Sequence, residues 1–302
     1  MLLIDDDIYI HPDAASSVLP HLKVHLPYAS TELYVVEVPP APDSTVLATF
    51  PPTESLPHSR AWAVGVLGIT GRPETEFWFW SSAEGVPTTN GDEDGEEPFR
   101  MAYAQLQQML KFISDMYPEK ETLLVGSLHS RIASHIPTPS RDRLSPIYTK
   151  LAFSKDFLSP PSSQSQSIVS RYTFKGLAVD DLDEVVQIST STILRSKTTL
   201  AAASNTGAYL VSSEERRAQA WCFISRDGAI STVYVKPEAR GMGLGKETVK
   251  KELEKAFVHR HFVMVDVWST NTASLRLCQS LGARRGWDVV WVSVRMNQFR
   301  GS

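Results

Sequence analysis

The sequence predicts a mixed α/β protein of two domains, each a central mixed β-sheet flanked by helices. Three observations carry that expectation. Short β-branched or aromatic runs bounded by Gly and Pro alternate with segments whose apolar residues recur every three or four positions. A stretch with little to bury, SKDFLSPPSSQSQSIVS over 154–170, divides the chain. Beyond it, a strand passes through a glycine-rich turn directly into a helix, a connection typical of α/β sheets. The expected organisation is a domain over 1–153, a Ser/Pro-rich linker over 154–170 and a second domain over 171–302.

In the first domain, ELYVVEV (32–38), AWAVGVLGI (61–69) and TEFWFWSS (75–82) read as strands. PFRMAYAQLQQMLKFISDMY (98–117) has helical periodicity, with Pro98 at its start and Pro118 just past its end. TLLVGSL (122–128) is a further short strand. The segment GVPTTNGDEDGEEP (85–98), with five acidic residues between Asp92 and Glu97, reads as a mobile surface loop. In the second domain, YTFKGLAV (172–179) is a strand. Asp180 and Asp181 are expected to cap a helix reaching Ser189, with Leu182, Val185, Val186 and Ile188 apolar. A second helical stretch covers 191–203. Three strands follow, GAYLVSS, AQAWCFIS and AISTVYV, and the turn Ser225-Arg226-Asp227-Gly228 joins the last two with an Asp-Gly hairpin signal. A helix from Gly243 to about Arg260, a doubly buried strand FVMVDVWS (262–269), a helix over 271–281 and a strand WDVVWVSVRM (287–296) complete the chain.

Composition excludes several classes. With 42% apolar and 21% charged residues the chain is neither disordered nor collagen-like. No apolar run reaches the ~20 residues a membrane span needs, so no membrane association is expected. The first residues, MLLIDDDIYIHPD, are too acidic for a targeting leader. The two cysteines, Cys222 and Cys278, make no disulfide framework, and no His or Cys pair has ligand spacing, so no metal is expected. A cytoplasmic protein is the expectation. Charge is uneven: 171–302 holds 19 basic and 13 acidic residues, while 1–170 holds 11 and 21. A basic second domain suits an anionic ligand.

The strongest local signal is the segment from Val233 to Lys246, VYVKPEARGMGLGK. Glycines allow successive backbone N–H groups to converge, and a helix N-terminus adds its positive dipole end, so the turn can cradle a phosphate. The plainer reading is a turn that only permits tight strand-to-helix packing. The run lacks the GxxxxGK[ST] of a P-loop and the spacing of a dinucleotide fingerprint. Arg240, Lys246, Lys250 and Lys251 concentrate around the turn with no stacking-aromatic motif, which weakens a nucleic-acid reading.

These residues resemble the coenzyme A pyrophosphate loop of the GNAT acyl-CoA N-acyltransferases, Arg/Gln-x-x-Gly-x-Gly/Ala, here Arg240 to Gly245. Asn271-Thr-Ala-Ser274-Leu-Arg-Leu-Cys278-Gln-Ser-Leu-Gly282-Ala283 is similar to that family's Asn-x-x-Ala-x-x-Leu-Tyr-x-x-x-Gly-Phe signature. Within the family, Ala218-Gln-Ala-Trp221, Asp227-Gly228 and Pro237-Glu238-x-Arg240 resemble the glycine N-acyltransferase group. The likeness covers about 172–296, and only the segment from Pro73 to Glu84 hints at it earlier, where those proteins carry a degenerate half of the same fold.

The resemblance implies two tandem GNAT-like domains with the coenzyme A loop in the C-terminal one. It implies direct transfer of an acyl group, acetyl or longer, from coenzyme A to the amine of a small molecule or amino acid. The pyrophosphate would lie on Arg240, Gly241, Met242, Gly243, Leu244, Gly245 and Lys246. Pantetheine would pair with Thr232, Val233, Tyr234 and Val235, and be held by Asn271 beside Ser274. A tyrosine that donates a proton to the leaving thiolate in many relatives is Cys278 here, a candidate donor that reads equally as packing. The glutamate expected as base is Ala229. Asp227, Tyr234, Asp266, His259 and His261 remain as acid-base candidates. The alternative class is a protein that binds acyl-CoA without transferring the acyl group, as an intact loop beside missing acid-base residues would allow.

Overall fold

The computed structural model describes residues 7–39, 43–53, 61–69, 74–85, 95–158, 163–189, 196–212 and 217–300. It divides into two compact units, Met1–Ile147 with Asp288–Ser302, and Tyr148–Trp287. The division falls earlier than the Ser/Pro-rich stretch, and the chain end returns to the first unit. Within the expected linker, Ser163–Arg171 is a helix with Ile168 buried, and residues 159–162 lie outside the described set.

Unit 1 contains β1 (Tyr9–Ile10), α1 (Ala14–Ser17), α2 (Leu19–Lys23), α3 (Ser30–Glu37), β2 (Thr45–Ala48), β3 (Ala63–Leu67) and β4 (Phe77–Ser81). It continues with α4 (Glu97–Met116), β5 (Thr122–His129), α5 (Ser130–His135) and β6 (Arg141–Leu144). The α3 segment corrects the strand expected at 32–38. Thr31 and Glu32 are buried together with Val35 and Val36, a spacing of about one helical turn that outweighs the β-branched content. In α4, Pro98 occupies the first turn, where its missing N–H costs nothing, and Phe99, Ala102, Leu106, Met109, Leu110 and Ile113 form the buried stripe. The acidic segment expected as a mobile loop lies largely outside the described residues, at 86–94, while Glu97 opens α4.

Unit 2 contains β7 (Tyr148–Ser154), α6 (Ser163–Arg171), β8 (Tyr172–Lys175), α7 (Val179–Ile188), α8 (Lys197–Ala202), β9 (Asn205–Leu210), β10 (Ala218–Ile224), β11 (Ile230–Val235), α9 (Leu244–Ala256), β12 (Phe262–Trp268) and α10 (Thr272–Ser280). Of the helical stretch expected over 191–203, residues 191–195 are outside the described set. The N-cap of α7 is Ala178, with no side-chain cap, so Asp180 and Asp181 do not cap it as expected. Asp181 is instead buried and accepts from Tyr209 Oη at 2.6 Å and from Ala218 N at 3.3 Å, pinning α7 to the sheet. Buried Glu252 does the same for α9, accepting from Ser204 Oγ at 2.5 Å, Thr206 Oγ1 at 2.7 Å and Lys255 Nζ at 3.0 Å.

The last strand, β13 (Arg284–Arg295), crosses the division, and from Val289 onward it pairs with β5 and β6. The unit 1 sheet runs β1-β2-β3-β4-β5-β13, and β4 and β5 pair in parallel. The unit 2 sheet runs β7-β12-β11-β10-β9-β8, and β11 and β12 pair in parallel. One face of the unit 2 sheet lies under α9 and α10, where Val249, Leu253, Cys278 and Leu281 meet Val263, Val265 and Val267. The opposite face packs Trp221 and Phe223 against Leu182, Val185 and Leu200 of α7 and α8.

Candidate functional site

The glycine-rich turn joins β11 to α9 through a single 3-10 turn at Pro237–Ala239. Gly241 has φ +76° and Gly243, the N-cap of α9, has φ +85°. A left-handed backbone on either side of Met242 is what lets neighbouring N–H groups converge on one guest. Gly243 offers no side-chain cap, so the first amides of the 13-residue helix face outward with the positive end of its dipole. A Cβ on Gly241 would meet nothing within 4 Å, so the turn is open to its surroundings at that residue. At Gly245 a Cβ would lie 2.8 Å from Val235 Cγ2 and 3.3 Å from Leu277 Cδ1. The three glycines thus serve different ends: Gly241 and Gly243 shape the backbone of the turn, and Gly245 lets α9 sit against β11 and α10.

Two cations flank this cradle. Arg240 donates its Nε to Val235 O at 2.9 Å, and its guanidinium stands 5.5 Å from the centre of the Tyr234 ring. Lys246 donates to Ser280 O of α10 at 2.8 Å. Lys251 is taken up by Glu254 at 2.8 Å, and the stem of Lys250 is buried along α9. A pyrophosphate fits this donor set: open backbone amides, a helix N-terminus and two cations at the rim.

Next to the cradle the sheet splays. β11 and β12 keep register at one pair, Ile230 with Val265, and residues 231–235 are only half-buried. Thr232 has φ +50°, next to a register slip in the β10–β11 ladder between Trp221 and Phe223. That bulge sends Val233 into the core under α9 and Val235 against Leu244, while Tyr234 faces the other side and stacks on Trp221 at 4.9 Å. Met242 and Leu244 belong to the small cluster that seats the turn. Asn271 is the N-cap of α10, its Oδ1 accepting from Ser274 N at 3.1 Å, so these two expected ligands meet in a helix cap.

The acid-base candidates fall in different places. Cys278 is buried in the core under α9, and that burial pushes its thiol up to about 12. Asp227 is held within its hairpin by Ser225 Oγ and Ala229 N. His261 is exposed and pairs with Asp156 at 3.0 Å, and His259 lies past the end of α9. Asp266 is different: it sits on β12 immediately after the last residue in register with β11, and Lys150 Nζ lies 3.2 Å from its Oδ1. Lys150 and Trp268 escaped the sequence reading. The available signal was the lone acid within the apolar run FVMVDVWS.

Among the described residues, no cluster of His, Cys, Asp or Glu could hold a metal ion, and no helix is long and apolar enough to cross a membrane.

Comparison with known proteins supplies the last observation. Residues 5–157, just over half of the chain, match the family of the acyl-CoA N-acyltransferase verG N-terminal domain, and 206–292 match the FR47-like protein family. No curated protein matches the sequence significantly. A crystal structure of a Drosophila protein, 13% identical, aligns over 96% of this chain and 99% of its own with a TM-score of 0.62. A tandem GNAT protein from the clavulanic acid biosynthesis pathway, 12% identical, aligns over 96% and 98% with a TM-score of 0.50. At such identities the likeness is one of fold, and it agrees with two GNAT units in tandem. The splayed parallel pair and the glycine-rich turn lie within the FR47-like match, and the match over residues 5–157 shows the family: the chain belongs to the GNAT acyl-CoA N-acyltransferases, in the family of the verG N-terminal domain.

Proposed function

We propose that unit 2 binds acetyl-CoA or a longer acyl-CoA and passes the acyl group directly to the amine of a small molecule. The observation that carries this is the open Gly241–Gly243 cradle placed at the end of a strand whose parallel neighbour diverges. In this reading the pyrophosphate accepts from the amides of Arg240 to Lys246, and Arg240 and Lys246 swing from Val235 O and Ser280 O onto it. Pantetheine extends along Thr232 to Val235 like an added strand, with the backbone near Val233 polarising the thioester carbonyl. Asn271, whose Oδ1 is occupied by its helix cap, would reach the pantetheine arm through its amide nitrogen. Tyr234, stacked on Trp221 below Arg240, would wall the acceptor side. The glycine N-acyltransferase-like run from Ala218 to Arg240 supports a small acceptor, possession of an amine being the shared requirement.

The buried thiol of Cys278 favours a packing role over proton donation, because an acid pushed up to about 12 gives up its proton poorly. The test is release of free coenzyme A from acetyl-CoA and longer acyl-CoAs against ethanolamine, glycine, 2-phenylethylamine, tryptamine and spermidine. Binding of acetyl-CoA without turnover on any of them would sink transfer and leave a binding protein. Unchanged coenzyme A affinity in Arg240→Glu would remove the site itself.

A further inference from the structure

Resting on that reading, we propose that Asp266 is the base that takes the proton from the acceptor amine, and that Lys150 positions its carboxylate. The argument starts from strand parity. Val263, Val265 and Val267 are buried under α9 and α10, so Met264, Asp266 and Trp268 point to the opposite face. On β7, Leu151 and Phe153 join the same core, which sends Tyr148, Lys150 and Ala152 to that opposite face as well. The antiparallel register sets Asp266 against Lys150 and Trp268 against Tyr148. Lys150 Nζ lies 3.2 Å from Oδ1 and 3.4 Å from Oδ2, and the two side chains are only 4% and 7% exposed. A buried ion pair adds little net stability over an apolar pair of the same volume, so strength alone does not account for it.

Its position supplies the rest. Val265 is the β12 residue in register with β11, and Asp266 is the next residue, at the apex where the two strands part. A pantetheine arm running from the cradle back along Val235 to Thr232 heads toward that apex. Tyr234 lies on the same face across the splay, and Trp268, 50% exposed two residues beyond Asp266, stands at the lip as an apolar surface. Of the other carboxylate and imidazole candidates, Asp227 closes a hairpin, His261 is paired at the surface and His259 lies past the end of α9, while Tyr234 on the facing strand is stacked on Trp221.

The chemistry balances with these groups. Asp266 accepts one proton from the acceptor ammonium, freeing the nitrogen lone pair. The nitrogen then bonds to the thioester carbonyl carbon as the carbon–sulfur bond breaks. The proton left over on the nitrogen moves to the departing sulfur, giving the amide and free thiol, and Asp266 later releases its proton to water. No separate donor is required, which fits a Cys278 buried in the core.

The experiment compares nucleophiles. At neutral pH an alkylamine is almost wholly protonated, whereas hydroxylamine is largely neutral and needs no base. Asp266→Asn is expected to lower kcat/KM for the best alkylamine by ~10²-fold or more and for hydroxylamine by less than about threefold. Acetyl-CoA affinity, read by calorimetry, stays within twofold of wild type. Lys150→Gln shows the same selectivity at smaller amplitude, and Lys150→Arg restores the alkylamine rate. Equal losses on both nucleophiles, or an alkylamine rate within threefold of wild type, overturn the assignment. Should Asp266→Asn unfold the chain, Asp266→Asn with Lys150→Gln, which removes both charges together, carries the same comparison. A wild type that turns over no amine refutes the transferase reading and this assignment with it, whereas active wild type with an unselective Asp266→Asn refutes the assignment alone.

Discussion

The cradle can be tested by making one substitution, Gly→Ala, at two positions where the physics differs. At Gly241 the added methyl has open space, so only the backbone objects. A non-glycine residue in the left-handed region costs roughly 1–2 kcal/mol, partly offset by ~0.4–1 kcal/mol of lost freedom in the unfolded chain. The net, about 1 kcal/mol, can be relieved by letting the exposed turn relax, so Gly241→Ala should barely move the thermal midpoint. Relaxation re-aims the amides, however, and coenzyme A must then restore the strained turn. Its Kd should rise about fivefold for each kcal/mol of that strain. At Gly245 the helical backbone would welcome alanine by ~1 kcal/mol, but the methyl would stand 2.8 Å from the stiff Val235 side chain. Overpacking of that kind costs roughly 1–3 kcal/mol and pushes α9 off β11, so Gly245→Ala should lose both midpoint and affinity. Differential scanning calorimetry with coenzyme A titration separates the two effects. If Gly241→Ala binds coenzyme A as wild type does, the backbone of the turn is not the phosphate cradle.

Cys278→Ala should leave kcat within about threefold, while the lost sulfur contacts cost roughly 1–2 kcal/mol on chemical denaturation; a tenfold fall in rate would restore the thiol as a donor. Burial pushes His129 down to about 4. Between there and its ordinary value near 6.5 the unfolded chain binds the extra proton, so stability is complete above that range and falls on acidification. His129 contributes up to about 3 kcal/mol of this loss. Since His129 Nδ1 also accepts from Arg131 N, His129→Asn keeps a cap and should flatten the unfolding free energy between pH ~6.5 and ~4. A residual slope of the same sign should persist, because burial also lowers His11, His21 and His25. An unchanged pH dependence would count against the burial account. Glu252→Ala strips three donors of their shared acceptor and should cost about 2 kcal/mol in denaturant unfolding, Lys255 recovering water at the surface.

What could be read from the residues alone was whatever is local. Proline at either end and a 3–4 residue stripe marked α4, and β-branched runs marked β3, β4, β5 and the meander of β9, β10 and β11. The glycine-rich strand–turn–helix was legible because its glycines and its helix are contiguous. Three of the failures are long-range. ELYVVEV has strand composition, but burial of Thr31, Glu32, Val35 and Val36 together makes it α3. Asp181 looked like a cap because its partner, Tyr209, is 28 residues away. β7 passed unnoticed because Lys150 interrupts its apolar pattern, and the carboxylate that pairs with that lysine lies 116 residues downstream. For the same reason the strand split beside Asp266 was not visible: it depends on where β11 and β12 lose register, not on either strand by itself.

The path of β13 bears on how the molecule comes into being. Unit 1 includes Asp288–Ser302, and Val289 to Arg295 pair with β5. During synthesis every residue of unit 2 is therefore made before Val289 to Arg295, the part of β13 that pairs with β5. Until then the side of β5 that β13 covers stays unmatched, and a ribosome stalled before residue 288 would leave that edge available to other chains. Splitting the gene at the Ser/Pro-rich stretch would for the same reason give an N-terminal fragment without its closing strand, and adding back a peptide of 288–302 is the natural way to complete it.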